Sequence, residues 1–382
     1  MNPPLSHDLD RVKDTPKAPL VLLQSLRAVA AGMVVCCHLY LWGGKYFPNS
    51  NVLPSGTIAC ESGVDLFFVI SGFIMMHITP KAHRSWRDQA IFLFRRFARI
   101  YPAYWAVALP LLVIWFWHPK LINNYQGNQV DIPASLLLYP SQIGPVLIVG
   151  WTLVCELTYY LIASLIFYFE GLVRLLTIAL WLSVILISNV LHPLDYSNPW
   201  ANTFLYALTI EFISGMILAH LLKMGLFRIN PLVAALMVIA SLSIIFIAGS
   251  WHGTCAGNQA RLPRVLMYGL PAFTIVWMVL QMDIQGEWKF LKKLAPVGDR
   301  SYCIYLVHVP IIAFVYRVAA HEFHITGRFE VIGVMLMAIA ALVIPVECLH
   351  RLIEKPSHVY ARILTSESGP SKRAGARDAP SS

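Results

Sequence analysis

Residues 20–42, with the sequence LVLLQSLRAVAAGMVVCCHLYLW, form an apolar run that is long enough to cross a lipid bilayer as one helix. Nine more runs of this kind follow, at about 58–79, 100–117, 151–169, 172–191, 203–222, 230–249, 263–282, 300–318 and 329–349. Hydrocarbon offers no hydrogen-bond partners to a backbone, so a chain that crosses it repeatedly must satisfy its own backbone groups within helices. The sequence therefore predicts an all-α, polytopic membrane bundle of about ten transmembrane helices.

The composition of the 382-residue chain supports the same class. Hydrophobic residues make up 57% and charged residues only 13%, about half the charged share of a soluble domain. So little polar surface excludes a soluble enzyme or a disordered chain of this size. No basic stripe with interleaved aromatic residues occurs, so a nucleic-acid partner is not expected. The seven cysteines include no CxxC pair, and we expect no metal site.

The distribution of the basic residues predicts the topology. If the N-terminus is cytoplasmic, 22 of the 29 Lys and Arg fall in cytoplasmic segments and six in external ones. This bias follows the positive-inside rule and predicts that both termini are cytoplasmic. The expected organisation is a cytoplasmic N-terminal segment at 1–19, which lacks the pattern of a cleavable signal, a membrane domain at 20–356, and a cytoplasmic tail at 357–382 that is largely disordered.

The first run contains two ionisable residues, Arg27 and His38. They are eleven positions apart, which is about 16 Å of helix rise and nearly a whole number of turns, so they share one face. Arg27 lies in the cytoplasmic half and His38 near the external end. An ionisable group in hydrocarbon costs at least about 2.5–3.5 kcal/mol, which favours a functional role. The alternative is a snorkelling arginine and an interfacial histidine.

The second run places two carboxylates, Glu61 and Asp65, at the depth of His38. Their i, i+4 spacing puts both on one helix face. A carboxylate beside an imidazole fixes its tautomer and raises its basicity, as a general base requires. A structural hydrogen bond between two helices is the alternative.

Further polar candidates lie on the fourth and ninth runs. Glu156 falls in the external half of the fourth run. Tyr302, Tyr305 and His308 follow one flank of the ninth run, with His308 near the middle of the membrane. An aromatic stripe with this spacing is typical of a packed core, so His308 is its most informative member.

Three arginines, Arg95, Arg96 and Arg99, precede the third run at its cytoplasmic mouth. Arginine binds phosphate through two parallel hydrogen bonds, so this cluster fits a phosphorylated ligand. Ordinary topology-determining charge explains the same residues without a ligand.

Several of these residues fall within stretches that resemble the acyltransferase-3 family of membrane O-acyltransferases, in its exopolysaccharide-acetylating branch. The stretches are LQSLRAVAAGMVVCCH (23–38), GVDLFFVISGFIM (63–75), RRFARIYP (95–102) and SYCIYLVHVP (301–310), with weaker matches at WTLVCELTYYL (151–161) and IEKP (353–356). They occur in the order typical of the family and cover nearly the whole chain. One departure is Leu157, where the family usually has a second acidic residue.

The resemblance implies a multi-pass enzyme of the bacterial inner membrane. The implied donor is acetyl-CoA from the cytoplasm, with no metal. The implied acceptor is a sugar hydroxyl of an exported or surface polysaccharide, such as an undecaprenyl-linked oligosaccharide. Polysaccharide-assembly proteins are possible partners besides the lipid bilayer itself.

Roles for the candidate residues follow as a hypothesis. His38 acts as general base, or carries the acetyl group transiently, and Asp65 and Glu61 orient it. The donor is held by Arg27, Arg95, Arg96 and Arg99. Ser71 or Tyr305 donates to the oxyanion, and Glu156 and His308 complete the substrate site. A transporter or flippase of a lipid-linked glycan is the alternative function, because intramembrane charges suit it equally.

Overall fold

The computed structural model describes residues 20–79, 85–191, 197–225, 229–252 and 262–366. All regular structure within these ranges is helical. The helices are α1 (Val21–Tyr46), α2 (Gly63–Ile78), α3 (Trp86–Trp117), α4 (Ile132–Leu137), α5 (Trp151–Ile166), α6 (Gly171–Leu191), α7 (Pro199–Phe204), α8 (Thr209–Lys223), α9 (Pro231–His252), α10 (Leu262–Arg264), α11 (Leu270–Gln285), α12 (Ala295–Asp299), α13 (Ser301–His321), α14 (Arg328–Leu349) and α15 (Lys355–Ser366).

Ten segments of the described chain are long and apolar enough to cross a membrane, which confirms the predicted class and number of spans. Two boundaries differ from the prediction. Helix α3 begins at Trp86 and not near residue 100, so the three arginines are part of a helix. Residues 357–366, which the prediction assigned to the tail, belong instead to α15, a helix that packs along α3. The segments 1–19 and 367–382 lie outside the described residues.

Helix α1 lies in the middle of the bundle and packs against α2, α11, α12 and α13. Small buried residues on α1, such as Ala30 and Ala31, allow this close packing. Helices α6, α9 and α14 carry many exposed leucine, isoleucine and valine side chains, as expected of a lipid-facing periphery. The central position of α1 keeps the helix that carries Arg27 and His38 among protein neighbours.

Helices α2 and α8 approach each other closely through two glycines. A Cβ atom at Gly72 would overlap the carbonyl oxygen of Phe212, and one at Gly215 would overlap the carbonyl oxygen of Val69. Close backbone approach through small residues is a common way for membrane helices to associate. The pair fixes α2, and with it the GVDLFFVISGFIM stretch, against the bundle.

We expect the substitution Gly72→Ala to destabilise the protein by about 3 kcal/mol or more, because the methyl group overlaps backbone that cannot rotate away. Gly32→Ala on α1 is the matched control, since its Cβ meets nothing within 4 Å. Thermal unfolding and the yield of monodisperse protein in detergent measure the difference. Equal unfolding temperatures for the two variants would contradict the close contact.

Candidate active site

The structure brings together two histidines from distant parts of the sequence. His38 on α1 and His308 on α13 have ring centroids 4.8 Å apart and nearly perpendicular planes. His38 Nδ1 lies 3.3 Å from His308 Nε2. His308 is fully buried and His38 half-buried. The residue predicted to bind substrate is thus in direct contact with the predicted base.

Hydrogen bonds to backbone carbonyls indicate which ring nitrogen carries the proton in each histidine. His38 Nδ1 lies 2.9 Å from the Val34 oxygen, and His308 Nδ1 lies 3.1 Å from the Ile304 oxygen. A carbonyl oxygen only accepts, so each neutral ring carries its proton on Nδ1. The Nε2 lone pair of His308 then faces the Nδ1–H of His38. The Nε2 lone pair of His38 is left to accept a proton, as a general base requires.

The predicted contact of Asp65 and Glu61 with His38 is wrong. Both carboxylates bind Arg264 instead, at the start of the eighth span. Asp65 accepts two hydrogen bonds from Arg264, at 3.2 and 2.7 Å, and Glu61 Oε1 lies 3.3 Å from the Arg264 guanidinium. Within the described chain, the hydrogen bonds of His38 go to Val34 and His308.

The physical reason for this pairing is the burial of a full positive charge. Arg264 is only 3% exposed and Asp65 is 0% exposed. A buried guanidinium requires anionic partners, whereas a neutral imidazole is satisfied by carbonyls. The position of Arg264 at the edge of an apolar run gave no sign that its side chain is buried.

One cavity is lined by three of the four predicted donor-binding arginines. Arg27, Arg96 and Arg99 line it together with Glu156 and with apolar side chains of α2. Arg27 also donates to Gln24 Oε1 at 2.9 Å. We call this space the arginine cavity. Arg95 does not line it, because its Nε donates to Thr365 Oγ1 at 2.8 Å on the outer side of α3.

Glu156 and Ser71 lie together in the arginine cavity. The Ser71 hydroxyl donates to Glu156 Oε1 at 3.4 Å, and the Tyr160 hydroxyl donates to the same carboxylate. Glu156 also interacts electrostatically with Arg99. Ser71 is therefore a neighbour of the arginines, and it is not in contact with the histidine pair as an oxyanion donor would be.

Tyr305 separates the arginine cavity from the histidine pair. Its ring lines the cavity and lies 5.8 Å from the His308 ring, while neither histidine lines the cavity. The Tyr305 hydroxyl hydrogen-bonds the Thr152 hydroxyl at 2.8 Å and donates to the Val149 carbonyl at 3.2 Å. The arginines and the histidine pair thus lie on opposite sides of Tyr305.

Glu354 is a further buried residue of the site that the sequence did not predict. The only feature of the sequence that points to it is the weak family match at IEKP (353–356). Its carboxylate is buried and accepts hydrogen bonds from Cys303 at 3.0 Å and from His350 at 2.7 Å. The ligand-type atoms of these three residues lie within 4.8 Å of one another, although the sequence indicates no metal-binding pattern. Glu354 also interacts electrostatically with Arg27 and Arg99, so it offsets part of the buried positive charge.

Comparison with known proteins identifies the family of the chain. A family model of the acyltransferase-3 type, described as an acyltransferase domain, matches residues 22–347. The exopolysaccharide production protein ExoZ of Rhizobium meliloti (strain 1021) is 30% identical over 262 residues, which cover 66% of this chain and 77% of that protein.

Two other relatives extend the comparison. The acyltransferase MdmB of Streptomyces mycarofaciens is 25% identical over 87% of this chain and 90% of its own length. The peptidoglycan O-acetyltransferase OatA of Listeria monocytogenes is 26% identical over 76% of this chain and 49% of its own. No solved structure matches the chain. Because the family model covers most of its length, the chain belongs to the acyltransferase-3 family of membrane acyltransferases.

Proposed function

We propose that this protein transfers an acetyl group from cytoplasmic acetyl-CoA to a sugar hydroxyl of an exported or surface polysaccharide. The proposed acceptor is a lipid-linked precursor, such as an undecaprenyl-linked oligosaccharide, in the bacterial inner membrane. The observation that carries the proposal is a histidine whose Nε2 accepts no hydrogen bond within the described chain and which lies across Tyr305 from a cavity lined by arginines. The similarity to ExoZ, an exopolysaccharide production protein, and to OatA, a peptidoglycan O-acetyltransferase, supports a polysaccharide acceptor.

The donor fits the arginine cavity by its chemistry. Arg27, Arg96 and Arg99 supply guanidinium groups for the phosphates of CoA. The apolar side chains of α2, including Phe67 and Ile74, suit the pantetheine arm and the acetyl group. The rise of about 16 Å from Arg27 to His38 is comparable to the length of that arm when extended. The thioester would then reach Tyr305 and the histidine pair.

The proposed reaction is a direct transfer. His38 Nε2 takes the proton of the sugar hydroxyl while the hydroxyl oxygen attacks the thioester carbonyl, a contribution of about 10²–10⁴-fold in rate. The new C–O bond forms, the C–S bond breaks, and the CoA thiolate takes the proton from His38. The Val34 carbonyl, and more weakly His308 Nε2, share the Nδ1–H of His38 and so stabilise the imidazolium. We assign the oxyanion donor to the Tyr305 hydroxyl, which would exchange its bond to the Val149 carbonyl for one to the oxyanion. The Tyr305 ring adjoins both the cavity and the histidine pair.

We also propose a topology with both ends in the cytoplasm. The bias of basic residues supports it, since 22 of 29 fall on the cytoplasmic side in that orientation. It places the arginine cavity on the side where CoA is found. The segment 1–19 and the tail would then be cytoplasmic.

A label-transfer assay tests the function. We expect purified protein in liposomes to move label from acetyl-CoA to a glycolipid extract. Arg99→Gln should raise the KM for acetyl-CoA about tenfold, which corresponds to the loss of about 1.4 kcal/mol of donor binding. Arg317→Gln, an exposed arginine of α13, is the control. Movement of glycan across the membrane without acetylation would contradict the proposal and favour a transporter.

A further inference from the structure

A second cavity lies between α3 and α15. Its lining includes Arg95, Arg96 and Arg99 from α3, and His358 and Arg362 from α15. Arg96 and Arg99 line the arginine cavity as well, so the two cavities adjoin through these two side chains. We call the second space the vestibule.

Helix α15 faces the vestibule with a regular stripe of residues. His358, Ala361, Arg362 and Thr365 follow the i, i+3, i+4, i+7 spacing of one helix face, and all four line the vestibule. A π-helical turn at His350–Glu354 joins α14 to α15. Such turns are frequent at functional sites. The bond from Arg95 to Thr365 holds α15 in place against α3.

Two polar atoms around the vestibule lack a partner. Arg96 Nε and His358 Nε2 are both buried, and neither has a hydrogen bond within the part of the chain that the structure describes. Buried polar atoms are nearly always satisfied by protein, water or ligand, so two such atoms beside one cavity indicate a ligand. This observation is independent of the charge of the cavity.

The charges around the vestibule indicate a polyanion. Four arginines line it, and the one carboxylate in its lining, Asp88, is hydrogen-bonded to Ser85 at 2.6 Å. Arginines on both α3 and α15 suit phosphate groups, each of which accepts several charged hydrogen bonds. The position next to the arginine cavity places these phosphates at the far end of the donor from its thioester.

We propose that α15 forms the second wall of the donor site, where His358 and Arg362 bind the phosphates of the nucleotide part of acyl-CoA. The inference rests on the proposed function, because it assigns the ligand as the acyl donor. It extends the donor site beyond the arginines of α3 to the C-terminal helix. The region that the sequence alone assigns to a disordered tail thereby contributes to substrate binding.

The variants His358→Gln and Arg362→Gln test the proposal. Each should raise the KM for acetyl-CoA about tenfold while kcat changes less than about twofold, because each loses a phosphate contact far from the reacting carbonyl. Arg362→Gln removes a charged hydrogen bond, and His358→Gln removes that of a neutral imidazole. Each should also weaken the binding of adenosine 3′,5′-bisphosphate, measured by calorimetry on the full-length protein in detergent. Lys355→Gln is the control, since Lys355 is exposed on the same helix and does not line the vestibule.

The outcomes separate this inference from the proposed function. If the wild type binds the bisphosphate and transfers acetyl, and both variants keep the wild-type KM and Kd, α15 is not part of the donor site. If the wild type neither binds the bisphosphate nor transfers acetyl, the proposed function fails as well. A vestibule for anionic lipid headgroups is a third outcome: the variants would then alter activity only in liposomes with added phosphatidylglycerol and leave bisphosphate binding unchanged, which also overturns the inference.

Discussion

Replacing His38 by glutamine lowers the rate of acyl transfer by about 10²–10⁴-fold and leaves the protein folded. The rate falls because Gln has no basic nitrogen to accept the hydroxyl proton. The fold persists because His38 is only half-buried and bonds only to Val34 and His308 within the described chain. Turnover with saturating donor and acceptor measures the first effect, and thermal unfolding in detergent measures the second.

Two further variants sharpen this prediction. His324→Gln, in an exposed loop, is the control and should keep wild-type turnover. His308→Gln should lower kcat by a smaller factor and move the pH dependence of kcat, since His308 acts only through the ring of His38. Near-normal turnover in His38→Gln would remove His38 from the mechanism.

Asp65→Asn destabilises the protein by about 3 kcal/mol, near the lower end of the range for breaking a buried ion pair. The substitution leaves Arg264 buried with Glu61 as its remaining anionic partner. The substitution lowers the free energy of unfolding and not the rate of transfer, because neither carboxylate contacts His38 in this structure. Equilibrium unfolding in mixed detergent micelles measures the loss, and Glu322→Gln, an exposed carboxylate on the loop after α13, is the control.

The same variant discriminates between two roles for Asp65. If Asp65 oriented the catalytic base, as its depth and spacing in the sequence predict, Asp65→Asn would unfold like the wild type but lose turnover. The structure predicts the reverse. Folded Asp65→Asn protein should keep most of its turnover per molecule, while less of it survives purification. A stable variant that is inactive would restore the sequence-based interpretation.

The ion pair between Arg264 and Asp65 also links α2 to α10. The two residues are 199 positions apart, and the π-helical turn Val265–Gly269 directly follows Arg264. A charged pair in this position fixes the first turn of α2 next to the eighth span. The GVDLFFVISGFIM stretch is therefore held twice, by its ion pair to Arg264 and by the glycine contact of Gly72 with α8.

The sequence predicted well those features that depend on one helix at a time. The helical class and the ten spans follow from apolar length, because hydrocarbon leaves the backbone no alternative. The common face of Arg27 and His38 follows from helical spacing. Helix α3 begins earlier than the apolar run that predicted it, because the charged residues Arg95, Arg96 and Arg99 precede that run although their side chains border cavities.

Only the tertiary structure decided which side chains meet. His38 pairs with His308, 270 positions away, and the carboxylates expected beside it pair with Arg264. The same holds for α15, most of which the sequence assigned to the cytoplasmic tail but whose small and basic residues fit against α3. Hydropathy and spacing determine where a side chain lies along its own helix. Its partner depends on all the buried groups that the packed helices bring together. The two carboxylates pair with Arg264 because burying its positive charge without anionic partners would cost the most free energy.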